Sequence, residues 1–326
     1  MKNIDIVLPV YNEEKGLPSF HNVLQDVLSR MKERYHFQII YVVDKCKDRS
    51  YQVVEDLVKQ SDNTVGVQLS ARFGHQNSLM AGFSLCTGDA VIMMDSDLEH
   101  PPEVIAKLLE QFENGYEIVY TKRIYNKKVG LLKRASSKLY YKLVNSLTNV
   151  EIGESSADFR LISAKVLDVL KNSIHEQNPF LRGLFPWMGF KHTFVEFTSG
   201  QRAAGRSHYS LMRMLKLGLD GITSFSSRPL MLSIYAGIFF SILSFAYLIY
   251  IIVGYLLGGA TPAGWVTTIS IVGFMGSLQL IAMGIMGIYV GKMFEEVKRR
   301  PVFIIENIIQ NEERAGGQLE HGDSIN

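Results

Sequence analysis

Through the first third of the chain, short apolar runs alternate with stretches whose apolar residues recur at helical spacing. The runs are IDIVLPV, FQIIYVV, VGVQL and AVIMM; the stretches between them predict helices after Pro18, around Tyr51 to Lys59 and from Gln76. This reads as βαβαβαβ. The strands are apolar at almost every position rather than at every second one, the pattern of strands covered on both faces, so the fold class expected is α/β with an open, mostly parallel sheet. Ligands of such sheets gather beyond the carboxyl ends of the strands. PVYNEE follows the first strand, DKCKD the second and DSDLEH the fourth, which predicts three polar clusters at one edge.

A different pattern begins at Pro229. From there to Gly291 the chain runs for 63 residues without an Asp, Glu, Lys or Arg. About 20 apolar residues cross a hydrocarbon layer of about 30 Å, so this stretch predicts two transmembrane helices, divided at GGATPAG, Gly258 to Gly264. A buried pair of core helices is the competing reading, and the length of the uncharged stretch weighs against it. The connecting loop carries no charge. Arg213, Lys216 and Arg228 flank one end of the hairpin and Lys292, Lys298, Arg299 and Arg300 the other, which by the positive-inside rule places both ends in the cytoplasm. Two further segments, Leu131 to Leu147 and Tyr209 to Phe225, set Lys and Arg beside apolar residues at helical spacing and predict interfacial helices on anionic lipid, with ordinary surface helices as the alternative.

The expected organisation is a cytoplasmic domain over 1–208, a juxtamembrane amphipathic helix over 209–228, a helical hairpin over 229–293 and a cytoplasmic tail over 294–326. The tail ends in NEERAGGQLEHGDSIN, a composition that favours disorder. The apolar stretch of MKNIDIVLPVYNEE is too short for the apolar core of a secretory signal, so the N-terminus is also expected in the cytoplasm. The localisation expected is therefore a membrane, crossed twice.

Composition narrows the function. With 47% apolar and 20% charged residues the chain is not disordered overall, and a formal charge of +2 with no basic stripe gives no reason to expect a nucleic-acid partner. Cys46 and Cys86 form no CxxC and have no His at ligand spacing, so neither a disulfide framework nor a zinc site is expected.

Asp95 and Asp97 leave a strand on the same side of the pleat. Two carboxylates so placed suit a hard divalent cation, Mg²⁺ or Mn²⁺, that also takes diphosphate oxygens. A D-x-D alone equally fits a solvated strand end or the cap of the helix that starts at PPEV. His75 and His208 are lone histidines, read as loop hydrogen-bond donors.

Further motifs accompany the D-x-D in order: IVLPVYNEE at Ile6 to Glu14, MDSDLEHPPE, ADFRL at Ala157 to Leu161, RAAGRSHYS at Arg202 to Ser210, and EEVKRRP after the hairpin. Together they resemble the inverting GT-A glycosyltransferases of family 2, and most closely the polyprenyl-phosphate glycosyltransferases, over roughly residues 4 to 305. The resemblance implies a GT-A-type sheet and metal-dependent, inverting transfer of one sugar from a nucleotide-sugar donor, with UDP favoured, to a polyprenyl phosphate such as undecaprenyl phosphate. It further implies work in cell-envelope glycan modification, at the cytoplasmic membrane face, by a homo-oligomer.

By the same resemblance, Pro9, Tyr11, Glu13, Asp44 and Asp95 hold the nucleotide sugar, and Asp97 and Asp158 are the catalytic residues. Asp95, Asp97 and Glu99 hold the metal, and Asp158 acts near the acceptor as base or orienter. Arg123, Arg134 and Arg202 gather around the lipid phosphate and the donor diphosphate. The chain departs from the pattern at VVDKCKD, where Val43, Lys45 and Cys46 replace an Asp and a Gly-Ser pair, and at Ile288, where a Glu is common. Two rival functions are a processive polysaccharide synthase, disfavoured because neither Trp187 nor Trp265 sits in a Q-x-x-R-W motif, and a decayed scaffold, disfavoured by intact Asp95, Asp97, Asp158 and Arg202.

Overall fold

A computed structural model of the protein describes residues 1–124, 156–198, 223, 226–257 and 264–311. Arg134, Arg202, His208 and, apart from Thr223, the two expected interfacial helices lie outside the described residues. The chain divides into two units, one holding residues 1–142, 150–211 and 300–326, the other residues 143–149 and 212–299.

The first unit begins as the apolar runs predict. Strands β1 (Lys2–Val10), β2 (Tyr35–Val43), β3 (Thr64–Leu69) and β4 (Ala90–Met93) alternate with helices α1 (Leu17–Ser29), α2 (Ser50–Gln60) and α3 (His75–Leu85). There follow α4 (Val104–Glu113), β5 (Ile118–Ile124), β6 (Ser156–Ser163), α5 (Ala164–Asn172), α6 (Leu181–Trp187), β7 (His192–Thr198) and, after the second unit, β8 (Ile305–Ile309). The sheet runs β7-β5-β6-β4-β1-β2-β3-β8. β1 pairs in parallel with β2 and β4, and β2 with β3, whereas β6 lies antiparallel to both β4 and β5.

Both faces of the central strands are covered, which explains their unbroken apolar sequences. Ile4, Ile6, Leu8 and Val10 of β1 share one core with Phe20 and Leu24 of α1, Val54 of α2 and Leu108 of α4. On the opposite face α3 lies so close to β1 and β2 that a methyl group on Gly82 would collide with Val7 Cγ1 and stand 3.1 Å from Val42 Cγ2. Only glycine lets the helix approach this far.

The order also explains where a ligand would go. The chain lays β2 and β3 on one side of β1 and then returns to place β4 on the other, so the connections after β1 and β4 diverge and leave a crevice at their carboxyl ends.

β8 corrects the sequence reading. Residues 305–309, expected as part of a polar tail, pair antiparallel with β3, with Val67 opposite Ile308 and Gly66 opposite Ile309. Ile309 packs against the main core.

The second unit contains α7 (Arg228–Leu256) and α8 (Trp265–Lys298). At about 1.5 Å per residue both exceed about 30 Å, and both are long and apolar enough to cross a membrane. Their large apolar side chains, among them Leu232, Phe239, Leu280 and Met283, lie exposed. Phe240 and Phe274 meet edge to face at 5.1 Å, and Tyr289 donates to the Ser226 carbonyl at 2.6 Å. Surface this apolar on helices this long marks membrane association.

Candidate active site

The first wall is the loop after β1. Asn12 takes a left-handed conformation with φ 57°, which asparagine tolerates better than most residues. This turns the loop toward the end of β2. Asn12 Oδ1 accepts from the Lys47 amide at 2.8 Å, the Glu13 amide donates to Ser50 Oγ at 2.8 Å and the Arg49 amide to Glu14 Oε2 at 3.0 Å. PVYNEE and DKCKD are thereby stitched into one surface, on which Pro9, Tyr11 and Glu13 are half-buried.

The altered VVDKCKD segment makes its turn without glycine, and Lys45 keeps a negative φ. Cys46 takes part in the stitching: its Sγ accepts from the Asn12 amide at 3.4 Å and its thiol donates to the Val10 carbonyl at 3.8 Å. Burial pushes the Cys46 thiol up, which favours this donor form.

Asp44, expected at the nucleotide, is buried and braces a third loop. Its two oxygens accept from the Phe73 and Gly74 amides, each at 2.9 Å. Gly74, at φ 89°, then delivers the chain into α3. Arg72 in the same loop lies over the Tyr11 ring at 4.2 Å, a stacked cation on the face expected to meet the nucleotide.

The second wall is DSDLEH, directly after β4. Leu98 has φ 61°, strained for a residue of its bulk and of a kind that clusters at functional sites. The turn lets Asp97 Oδ1 accept from the Glu99 amide at 3.0 Å. His75, first residue of α3, donates through Nε2 to Asp95 Oδ1 at 2.8 Å. The Asp95 amide in turn donates to His100 Nδ1 at 3.0 Å, so that nitrogen carries no hydrogen, and its 3.6 Å approach to Asp95 Oδ2 is not an ion pair. The His100 ring is buried beside Phe159 and Phe197.

The two aspartates therefore differ. Desolvation would raise Asp95, but the hydrogen bond from His75 and the charge of that ring outweigh it and hold its carboxyl below the usual range. Desolvation and then the charge of Asp95 push Asp97 up. The oxygen-only pair, with one carboxylate crowded by the other's negative charge, fits a hard divalent cation. Among the described residues no group of three or more His, Cys, Asp or Glu is arranged to hold a metal. Glu99, expected as a third ligand, accepts from Arg123 Nη2 at 3.0 Å.

Asp158 reaches the same edge because β6 runs antiparallel to β4, which brings the start of β6 to the carboxyl end of β4. Sequence reasoning missed its partner. Arg182, from α6, donates through Nε to Asp158 Oδ1 at 2.8 Å and through Nη2 to Oδ2 at 2.6 Å. Arg160, fully buried, approaches Asp158 Oδ1 at 3.5 Å and lies 4.7 Å from the Phe185 ring. Desolvation opposes ionisation of Asp158, yet Arg182 first and Arg160 next hold its carboxyl well below the usual carboxylate range. His75 lies within electrostatic reach of both carboxylates: burial lowers it, and Asp95 and Asp158 together raise it above the ordinary histidine value.

Of the residues expected at the site, the structure thus gathers Asp95, Asp97, Glu99, Arg123 and Asp158 around one strand edge, with Pro9, Tyr11, Glu13 and Asp44 on the adjoining loops. Arg72, Gln76, His100, Arg160 and Arg182 are additional. Arg182 had one signal in the sequence, a lone charge inside the apolar run Phe180 to Phe185.

Known proteins share this arrangement of sequence. The pattern of Glycosyl transferase family 2 matches residues 5–170. An uncharacterized glycosyltransferase of Bacillus subtilis (strain 168), YkcC, is 37% identical over 301 residues, covering 92% of each chain. The bactoprenol glucosyl transferase of Shigella phage SfV is 34% identical over 93% of this chain and 98% of its own. The prophage bactoprenol glucosyl transferase homolog of Escherichia coli (strain K12) is 33% identical over 94% of this chain and 99% of its own. Among solved structures, glucosyl-3-phosphoglycerate synthase from Mycobacterium tuberculosis superposes with a TM-score of 0.45 at 16% identity, over 68% of this chain and 76% of that one, too distant a likeness to bear on ligands. The family match and the near full-length relatives place this chain in glycosyl transferase family 2, as a glycosyltransferase.

Proposed function

We propose that this enzyme transfers one sugar from a nucleotide-sugar donor, a UDP-sugar, to a polyprenyl phosphate such as undecaprenyl phosphate, with inversion, at the cytoplasmic face of a membrane crossed by α7 and α8. The observation that carries the reading is the meeting of Asp95 and Asp97 with the Asp158–Arg182 pair in the crevice between the carboxyl ends of β1 and β4. Relatives named bactoprenol glucosyl transferase, matched over nearly their whole length, support the lipid acceptor.

Asp95 and Asp97 would hold Mg²⁺ or Mn²⁺, the remaining positions being left to diphosphate oxygens and water. When bound, such an ion neutralises charge on the leaving diphosphate. The stitched loops around Tyr11 and Glu13 offer a rigid wall for the nucleoside. The acceptor phosphate has a second pKa of about 6 and arrives largely ionised. Its oxygen attacks the anomeric carbon, the bond to the diphosphate breaks, and the electron pair leaves with the nucleotide. Work of this kind is chiefly positioning and electrostatic stabilisation.

The test uses full-length protein in detergent, radiolabelled UDP-sugars and undecaprenyl phosphate. Transfer to lipid is expected with Mg²⁺ or Mn²⁺ and not in EDTA, and the product is expected to carry the opposite anomeric configuration from the donor. Equal transfer in EDTA overturns the metal role; a retained configuration overturns the single displacement.

A further inference from the structure

NPFLRG, Asn178 to Gly183, reaches the site from a part of the chain that no recognised motif covers. Two contacts fix its arginine. Arg182 grips both oxygens of Asp158, at 2.8 and 2.6 Å, and the neighbouring Leu181 amide donates to Gln76 Oε1 at 2.9 Å. Gln76 follows His75, which holds Asp95. The guanidinium is thus set in register with the donor-side carboxylates through α3 as well as through β6.

The edge is divided by charge. Asp95 and Asp97 stand together in one loop, while Arg160 and Arg182 converge on the single carboxylate of Asp158. A general base works best with a pKa near the operating pH, and a carboxylate gripped by two guanidinium groups is a poor proton acceptor. An ionised phosphate needs no base. It needs planar, fixed N–H donors, which a guanidinium held by Asp158 supplies. Arg182 is about three-quarters buried, enough to strengthen a contact with an anion while leaving access to it.

We propose that Arg182 binds the phosphate of the lipid acceptor, and that Asp158 is the positioning residue that aims its guanidinium. The proposal rests on the polyprenyl-phosphate reading above. In the transfer step Asp158 removes no proton; the attacking phosphate oxygen brings its own electron pair, and the leaving nucleotide carries one away.

The test compares undecaprenyl phosphate with undecaprenol as competitors for a fluorescent polyprenyl phosphate on full-length protein, alongside acceptor kinetics and UDP titration. Arg182→Ala should lose most of the preference for phosphate over alcohol and raise the acceptor KM about tenfold or more, as expected for a lost charge-assisted contact, with UDP binding unchanged. Arg182→Lys should recover part of the preference, which guards against simple misfolding. Asp158→Asn should raise the acceptor KM and leave the kcat profile flat between about pH 7 and 9, above the titration of the acceptor phosphate, since no base is removed.

An intact phosphate preference in Arg182→Ala overturns the proposal. So does an Asp158→Asn variant that loses turnover while keeping the preference, because that is the signature of a base. If wild-type protein itself does not distinguish phosphate from alcohol, the polyprenyl-phosphate reading fails and takes this one with it.

Discussion

Arg123 donates to Glu99 at 3.0 Å, so a residue expected on the metal and one expected on a phosphate hold each other. Both are more than three-quarters buried, where an ion pair is screened less than at the surface. Groups in direct contact act together, and their separate removals overlap by about 0.5–3 kcal/mol. Glu99→Gln and Arg123→Gln should each lower kcat/KM, and the double variant should lose less than the two losses combined. Strictly additive losses in a double-mutant cycle would show that the two residues do not act through each other.

His75 holds Asp95 Oδ1 and fixes that carboxylate from α3 while the His100 contact fixes its backbone. Loss of an outer contact of this sort costs about 10–100-fold in metal affinity or activity. His75→Ala should weaken the apparent affinity for Mn²⁺ by that order, read from initial rates across a metal titration. An unchanged metal dependence removes His75 from the site.

Gly82 is expected to tolerate no side chain. A methyl group there meets Val7 and Val42 on adjacent central strands, neither of which has room to retreat within the core. Overpacking of this kind costs about 1–3 kcal/mol. Gly82→Ala should lower the midpoint of thermal unfolding of the first unit, and a midpoint equal to or above that of wild type contradicts the packing described.

The Asp158–Arg182 pair gives a pH signature of definite sign. Because the folded state holds the Asp158 carboxyl well below its ordinary value of about 3.9, the pair's contribution is present above that value and is lost as pH falls toward the depressed folded value. The stability gap between wild type and Arg182→Met should therefore be widest near neutrality and narrow below about pH 4. Denaturant unfolding across pH checks this, and a gap that widens on acidification contradicts it.

Much of the fold was legible because burial on both faces leaves a direct trace in sequence. IDIVLPV, FQIIYVV, VGVQL and AVIMM became β1 to β4, and the polar clusters after β1, β2 and β4 met at one edge as the parallel arrangement requires. Asp158 joined them because β6 is antiparallel, a feature that no local pattern reveals. Arg182 escaped notice for a related reason: its partner lies 24 residues away, across a helix, and pairs of that kind have no periodicity. The bracing contacts of Asp44 were not legible either, since the part-buried amides of Phe73 and Gly74, about 30 residues further along the chain, find their acceptors in this carboxylate. Ile305 to Ile309 read as tail because an edge strand exposed along much of its length lacks the apolar run that betrayed its neighbours.

The pairing of β8 with β3 also carries a rule of parity. Backbone hydrogen bonds cannot be made across a bilayer, so a chain that leaves one sheet, traverses lipid and comes back to complete that same sheet must make an even number of crossings. Applied to the proposed spanning pair, a membrane-impermeant reagent that reaches a cysteine placed in the loop at 258–263 should fail, from that side, to reach one placed next to β8. A five-residue strand with no charge pattern of its own thus requires the two ends of the hairpin to share a side, while the choice of side rests on the flanking Lys and Arg residues alone.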